Sequence, residues 1–140
     1  MTTKQLVHVF EVASKDMDGL TDARGQSTKS MLASDAGIEV SEVRVILGYQ
    51  VKGDLTEEEC QRCLYDLFAD PIIEKATYGE PLLSSFQGPP DLAIQVGFKP
   101  GVTDNSAQAA LDGLTTIFEH HADSVVATNM TYAIWAVSYT

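Results

Sequence analysis

The chain has 140 residues, of which 44% are hydrophobic and 21% charged, and its formal net charge of −11 is not offset by any cluster of lysine or arginine. These values predict one globular domain, or two small halves that share a core, and the acidic surface excludes nucleic acid and anionic membranes as favoured partners. No apolar run approaches the roughly 20 residues of a membrane span, no signal peptide is recognisable, and two cysteines close in sequence do not indicate a disulfide framework, so we expect a cytoplasmic protein.

The N-terminal part of the sequence predicts a strand followed by a helix. The run from Leu6 to Ala13 is β-prone and nearly uncharged, which is typical of a strand. After a polar loop, Thr21 or Asp22 is the candidate N-cap of the helix, because a short side-chain oxygen can accept hydrogen bonds from the first N–H groups. The helix should continue to about Ser34 and end before Gly37.

The segment from Val40 to Val51 predicts the second strand. Its apolar side chains recur with the period of two that places them on one face of a sheet, namely Val43, Val45, Leu47 and Tyr49. Gly48 within this segment is expected to mark a bulge or a bend.

The second helix has the clearest local signals. Thr56 and Glu59 form a capping box, in which each side chain can accept the backbone N–H of the other residue. An apolar stripe follows at helical spacing, made of Cys60, Cys63, Leu64, Leu67 and Phe68. The helix should end at Asp70, because a residue that precedes proline is disfavoured in the α conformation.

Two segments complete the first half of the chain. Ile72 to Tyr78 predicts a short strand. Gly79 to Pro90 is rich in glycine, proline and serine, and it therefore predicts a linker between two halves.

The second half begins with the same kinds of element. Alternating apolar residues predict a half-buried strand, namely Leu92, Ile94, Val96 and Phe98. Thr103-Asp104 should cap a helix. The apolar stripe of that helix is Ala107, Ala110, Leu111, Leu114, Ile117 and Phe118. Ser124 to Val137 predicts a final strand.

An internal repeat relates the two halves. Gly19–Gln26 aligns without gaps with Gly101–Gln108, and Leu32 then aligns with Leu114. Small changes of offset align further pairs, which are Val12 with Val96, Lys15 with Lys99, Val43 with Val126, and Tyr49 with Tyr132. The sequence therefore predicts duplicated strand-helix-strand units.

The second unit is incomplete, because nothing in it corresponds to the helix that begins at Thr56 or to the strand after that helix. Such a unit should leave a sheet face or edge uncovered. Either another chain covers this surface, or the sequence was cut from something longer.

The ordered set of motifs resembles the PurS-like N-terminal region of phosphoribosylformylglycinamidine synthase, the fourth-step enzyme of purine biosynthesis. Four segments carry the resemblance, namely Val9–Lys15, Gly19–Gln26, Val43–Tyr49 with the Thr56–Pro71 helix and Ile72-Ile73-Glu74, and Gly97–Asp104. The resemblance implies an α+β fold in which helices cover one face of an antiparallel sheet. It divides the chain into a first PurS-like unit over residues 1–80, a linker over 81–90 and a second, truncated unit over 91–140.

The resemblance also implies a role in assembly. PurS-like units hold a glutaminase against an ATP-dependent synthetase, and the whole complex converts formylglycinamide ribonucleotide, glutamine and ATP to the amidine, glutamate, ADP and phosphate. The PurS-like part contributes no catalytic residues and no cofactor site, so ATP and magnesium are expected only in the parent synthetase. The expected partners are the glutaminase and synthetase domains, and the isolated chain is expected to form a homo-oligomer.

Two groups of residues suggest an alternative, a small metal or redox enzyme. Cys60 and Cys63 have the spacing of a redox or zinc motif. Both lie on the apolar stripe, and zinc usually requires a second pair, so we expect buried core thiols. His120, His121 and Asp123 are a candidate metal site, although histidines at a helix C-terminus also interact favourably with the helix dipole.

The remaining polar candidates have simple structural explanations. His8 is expected to pack or hydrogen-bond within its strand. Thr21-Asp22 and Thr103-Asp104 resemble paired acid and base groups, but capping accounts for both pairs. A stand-alone ligand-binding or regulatory α+β domain is a further alternative function.

Overall fold

The computed structural model describes residues 6–15, 22–86, 88–118 and 123–136. Its strands are β1 Leu6–Ser14, β2 Glu42–Gly53, β3 Glu74–Tyr78, β4 Leu92–Gly97 and β5 Val125–Trp135, and its helices are α1 Ala23–Ala36, α2 Glu57–Cys63 and α3 Asn105–Ile117. The strands form one antiparallel sheet in the order β3-β1-β2-β5-β4, which confirms the predicted α+β class. Among the described helices, none has the length and apolar character needed to cross a membrane.

Helix α1 begins and ends where the local signals predict. Asp22 is its N-cap, and one carboxylate oxygen accepts from the backbone N–H of Gly25 at 3.0 Å. Gly37 follows the last turn in the left-handed conformation, with a φ of 66°, which glycine adopts without a steric penalty. The helix ends at Ala36, slightly later than predicted. The other candidate cap, Thr21, lies outside the described residues.

The capping box before α2 is confirmed. Oγ1 of Thr56 accepts from the N–H of Glu59 at 3.1 Å, and Oε1 of Glu59 accepts from the N–H of Thr56 at 3.0 Å. After Cys63 the chain continues as a π-helical turn over Leu64–Phe68. Every residue of the predicted apolar stripe is buried except Leu67, which is half-buried.

The predicted start of the third strand is wrong, because β3 begins at Glu74 and not at Ile72. Asp70 holds the intervening residues in a turn. Its Oδ1 accepts from the N–H of Ile72 at 2.9 Å, and its backbone carbonyl accepts from the N–H of Glu74 at 2.8 Å. Ile72 is consequently exposed on the surface of the turn.

The interpretation of Gly48 as a bulge or a bend is also wrong. Strand β2 pairs continuously through this residue, opposite Glu11 in β1 and opposite Asn129 in β5. A Cβ atom at Gly48 would lie 2.3 Å from Oδ1 of Asn129. The close approach of that side chain, and not a change of direction, is the reason for a glycine at this position.

The three helices lie on one face of the sheet, as predicted. The main core cluster lies between the sheet and the layer formed by α2, its π-helical turn and α3. Its members include Phe10, Val12 and Val51 from the sheet, and Cys60, Cys63, Phe68 and Leu114 from the helices. A smaller cluster joins α1 to β2 and β5 through Leu32, Val43 and Ile134. On the opposite face, a 3-10 turn over Leu82–Ser85 lies within the predicted linker and packs on the sheet.

A local twofold axis relates the two strand-helix-strand units. Leu47 of β2 pairs with Met130 of β5. The offset that aligns Tyr49 with Tyr132 also aligns Leu47 with Met130, so this pair joins equivalent positions and lies on the axis. The register within each unit is the same, because Val12 pairs with Leu47 in the first and Val96 pairs with Met130 in the second. In the first unit β3 adds a strand outside β1, whereas β4 ends the sheet among the described residues.

Candidate functional site

Cys60 and Cys63 are free thiols buried between α2 and the sheet, which confirms their interpretation as core residues. Burial raises the pKa of both thiols, and for Cys63 to about 12. The thiolate is the nucleophilic and metal-binding form of cysteine, and it is disfavoured here at neutral pH. The environment of this pair is therefore that of structural cysteines.

His8 packs and hydrogen-bonds inside the fold, as predicted. Its Nδ1 lies 2.8 Å from the hydroxyl of Tyr78 and 3.5 Å from Sγ of Cys60. The three side chains join β1, β3 and α2. Because Cys60 lies on α2 whereas His8 and Tyr78 lie on the strands, we interpret this polar cluster as a contact that holds the helix to β1 and β3.

The predicted metal candidates are only partly described. His120 and His121 lie outside the described residues, and Asp123 is exposed just before β5. Within the described ranges, no three His, Cys, Asp or Glu side chains lie close enough to hold one ion. A metal site at His120 and His121 stays a prediction.

Asp22 and Asp104 are helix caps, and each also ties its helix to the following strand. One oxygen of Asp104 accepts from the N–H of Ala107 at 2.9 Å, and the other accepts from the N–H of Thr128 in β5 at 2.8 Å. Asp22 makes the equivalent bonds, to α1 and to the N–H of Val45 in β2 at 2.9 Å. Both carboxylates are thus engaged by backbone donors, as expected for capping and not for acid-base chemistry.

The candidate functional site is an exposed apolar surface on β4. It consists of Leu92, Ile94 and Val96 together with Phe98, which directly follows the strand, and we refer to it as the β4 face. The predicted strand is confirmed, but the prediction that one of its faces is buried is wrong, because every residue of β4 is exposed. A contiguous exposed apolar patch on a protein surface indicates a site of interaction.

The internal repeat explains why the β4 face is open. Three positions can be compared, namely Leu92, Ile94 and Val96 in β4 with His8, Phe10 and Val12 in β1. The β1 residues are 0–6% exposed because α2 and its π-helical turn lie over them, whereas the β4 residues are 40–53% exposed. Among the described residues, no counterpart of α2 lies over the second unit.

A cavity of about 230 Å³ adjoins the β4 face beside the local twofold axis. Its lining includes Leu47 and Met130, the pair on that axis, together with Val96 and Tyr132. Arg24, from the first turn of α1, also contributes to its wall. The cavity is therefore a mainly apolar depression that continues from the β4 face towards the centre of the sheet.

A lysine stands at the same end of both outer strands, since Lys99 is equivalent to Lys15. Lys15 holds the segment that covers β1, because its ammonium group donates to the carbonyl of Pro71 and its N–H donates to the carbonyl of Ile73 at 2.8 Å. Lys99 is exposed beside the β4 face. The second unit thus presents an apolar surface and a cation in the arrangement that holds α2 and β3 in the first unit.

Sequence reasoning predicted an uncovered face or edge in the second unit, but it did not identify the residues. The signal that could have found them was the alignment of Val12 with Val96. When β1 and β4 are aligned through this pair, the apolar residues of β4 become equivalent to the residues of β1 that the Thr56 helix covers in the first unit.

Comparisons of the chain with protein-family models, with curated proteins and with solved structures find no match. The site is therefore interpreted from its own residues and geometry.

Proposed function

We propose that this chain is a non-catalytic assembly domain of phosphoribosylformylglycinamidine synthase, acting in the cytoplasm to hold the glutaminase and synthetase parts of that enzyme together. The observation that carries the proposal is the β4 face, where three apolar side chains of the outermost described strand and the following Phe98 are exposed. Apolar strand edges of this kind favour association with another protein segment.

Two further observations support an assembly role. The fold contains the duplicated strand-helix-strand units and the one-sided helical layer that the PurS resemblance implies. The candidate reactive groups Cys60 and Cys63 are buried with raised pKa values. On this proposal, ATP and magnesium belong to the synthetase partner.

The proposal is tested by mixing the full chain with purified glutaminase and synthetase domains of phosphoribosylformylglycinamidine synthase and measuring complex formation by light scattering. We expect Ile94→Glu to weaken the complex by about tenfold or more, because a carboxylate must then be buried in an apolar interface. Val7→Glu is the matched control, since Val7 is equally apolar and 57% exposed on β1. Absence of any complex, or equal effects of both variants, would contradict the proposal.

The isolated chain is proposed to self-associate through the same strand. Two β4 edges can pair antiparallel about a twofold axis and extend the sheet across both copies. Sedimentation velocity should then reveal a dimer that dissociates on dilution. A strict monomer at high protein concentration would argue against this self-association.

The cavity favours a second candidate function, that of a ligand-binding or regulatory domain. Its volume of about 230 Å³ and its lining by Tyr49, Tyr132 and Arg24 suit a small, partly apolar ligand. A thermal-shift screen with nucleotides and amino acids decides between the two functions, because a ligand that binds only the native state raises Tm.

A further inference from the structure

The arrangement of α2 and β3 on the first unit shows what the β4 face is shaped to bind. There, the apolar stripe of α2 and its π-helical turn packs on Phe10 and Val12, and β3 pairs antiparallel with the outer edge of β1. The two units have the same internal register. A segment that covers the second unit in the same manner would place its helix over Ile94 and Val96 and its strand against the outer edge of β4.

The cavity adjoins the position that one aromatic side chain would occupy if the second unit were covered like the first. Phe68 stacks on Tyr49 with ring centroids 4.4 Å apart, and its ring lies 4.7 Å from that of Phe10. The equivalent of Tyr49 is Tyr132, which lines the cavity together with Val96 and Met130. A counterpart of Phe68 would stack on Tyr132, at the edge of this cavity, and would lie beside Ile94, the equivalent of Phe10.

The charge beside the β4 face sets the direction of the bound helix. Lys15 donates to the carbonyl of Pro71, immediately after the π-helical turn that ends the α2 segment. A cation at this position suits the negative end of a helix dipole. Lys99 occupies the equivalent position, so the helix on the β4 face should also end beside the lysine before its chain turns back into the strand.

A second copy of this chain is a poor source of such a segment. In the part of the chain that the structure describes, the helix and strand of residues 57–78 already cover β1 of their own copy. Donating them would expose His8, Phe10 and Val12 in the donor. Self-association is consequently limited to the pairing of β4 edges, which leaves the β4 face open.

Resting on the assembly function above, we propose that the β4 face binds an amphipathic helix followed by a strand from a partner protein, with an aromatic side chain of the helix stacked on Tyr132 beside the cavity. The partner strand extends the sheet beyond β4. The partner helix runs with its C-terminal end beside Lys99. The bound segment thus completes the second unit in the way that residues 56–78 complete the first.

The test uses the full chain with an additional copy of residues 56–78 joined behind Thr140 by a flexible Gly/Ser linker. The linker holds the probe at an effective concentration of about 1 mM, which offsets the cost of ordering it. Hydrogen exchange is measured under reducing conditions, with and without the appended probe. We expect the amides of β4 that do not bond to β5 to exchange about tenfold more slowly when the probe is present.

Three variants separate the proposed contact from other causes of protection. Phe68→Ala in the appended copy alone leaves the native core intact, and it should remove most of the protection. Val96→Glu in the native strand should remove it as well, whereas Val7→Glu should retain it. Val96 and Val7 are both more than half exposed, at 53% and 57%, so neither glutamate is expected to prevent folding.

Unchanged exchange in β4 with the probe present would overturn the proposal, as would protection that persists in both Phe68→Ala and Val96→Glu. Exchange is compared at a dilution at which the dimer formed by two β4 edges has dissociated, so that protection by a second copy does not contribute to the result. The outcome of this experiment is distinguishable from that of the complex-formation test above. If the probe docks but glutaminase and synthetase do not bind, the proposed function fails; if they bind and the probe does not dock, this inference fails.

Discussion

Val12 and Val96 are a matched pair whose replacement tests whether the apolar face of the second unit is exposed. They are equivalent positions of the repeat, but Val12 is 1% exposed and Val96 is 53% exposed. Replacement by alanine removes the same two methyl groups at each site. A difference between the losses of unfolding free energy must therefore arise from what lies over each side chain.

The expected magnitudes follow from burial. At Val12 the lost transfer free energy is about 1.6 kcal/mol, at ~0.8 kcal/mol for each buried carbon, and the cavity left in the core adds about 1 kcal/mol. At Val96 about half of the transfer free energy is lost and water fills the vacated space, so the cost is about 0.8 kcal/mol. The difference of about 2 kcal/mol corresponds to roughly 6–8 °C in Tm for a chain of this size.

Urea unfolding provides the measurement, with the fluorescence of Trp135 as the probe and a low protein concentration that disfavours association. Val12→Ala should lower the unfolding midpoint clearly, and Val96→Ala should change it little. Equal losses would refute the conclusion that the β4 face is open. A loss at Val96 that increases with protein concentration would show instead that a second copy covers this face.

Three further substitutions test the contacts that define the fold. Gly25→Ala should lower the unfolding free energy by about 2 kcal/mol or more despite the higher helix propensity of alanine, because its Cβ atom would lie 2.1 Å from the backbone oxygen of Val43; thermal unfolding measures this loss. Asp104→Ala should cost about 3 kcal/mol in urea unfolding, from the lost helix cap and from the unpaired N–H of Thr128. Cys63→Ala should weaken the loss of stability between pH 9 and pH 12, because burial raises the pKa of this thiol from 9.0 to about 12. In that interval the unfolded thiol loses its proton first, so the unfolding free energy falls with rising pH by up to about 1.4 kcal/mol per pH unit.

Each of these substitutions has a control or an outcome that contradicts its reasoning. Ala107→Gly, at the position equivalent to Gly25, introduces no clash and should cost only about 1 kcal/mol; a stable Gly25→Ala variant would show that α1 can move away from β2. Asp104→Asn keeps one of the two acceptor oxygens and replaces the other by an NH2 group that cannot accept, so it should retain one of the two backbone bonds and recover at most about half of the loss. If Cys63→Ala leaves the alkaline slope unchanged, other groups control stability in that range.

The sequence was sufficient to predict much of the candidate site, but it did not predict that the site is exposed. The alternation of Leu92, Ile94 and Val96 identifies a strand with one apolar face, and the same pattern serves equally well for a buried and an exposed surface. The incomplete second unit indicated that a face or an edge of the sheet is uncovered. Only the registers of β1 with β2 and of β4 with β5 show that the apolar face of β4 is the surface in question.

The sequence by itself determined the features that depend on neighbours along the chain. The capping box at Thr56, the helix starts at Thr21 or Asp22 and at Thr103-Asp104, the Gly37 helix end and the apolar stripe of α2 all arise from hydrogen bonds or contacts within one or two helical turns, so their residue spacing is sufficient to predict them. Burial of the two cysteines followed from the same stripe.

The tertiary structure decided the features that depend on distant segments. Gly48 is a glycine because Asn129 approaches it from β5, β3 starts late because Asp70 organises a turn, and Val12 is buried where Val96 is not because α2 covers only the first unit. Periodicity states which side chains share a face. It does not state whether another element lies over that face. The proposed function of the β4 face depends on that face being uncovered.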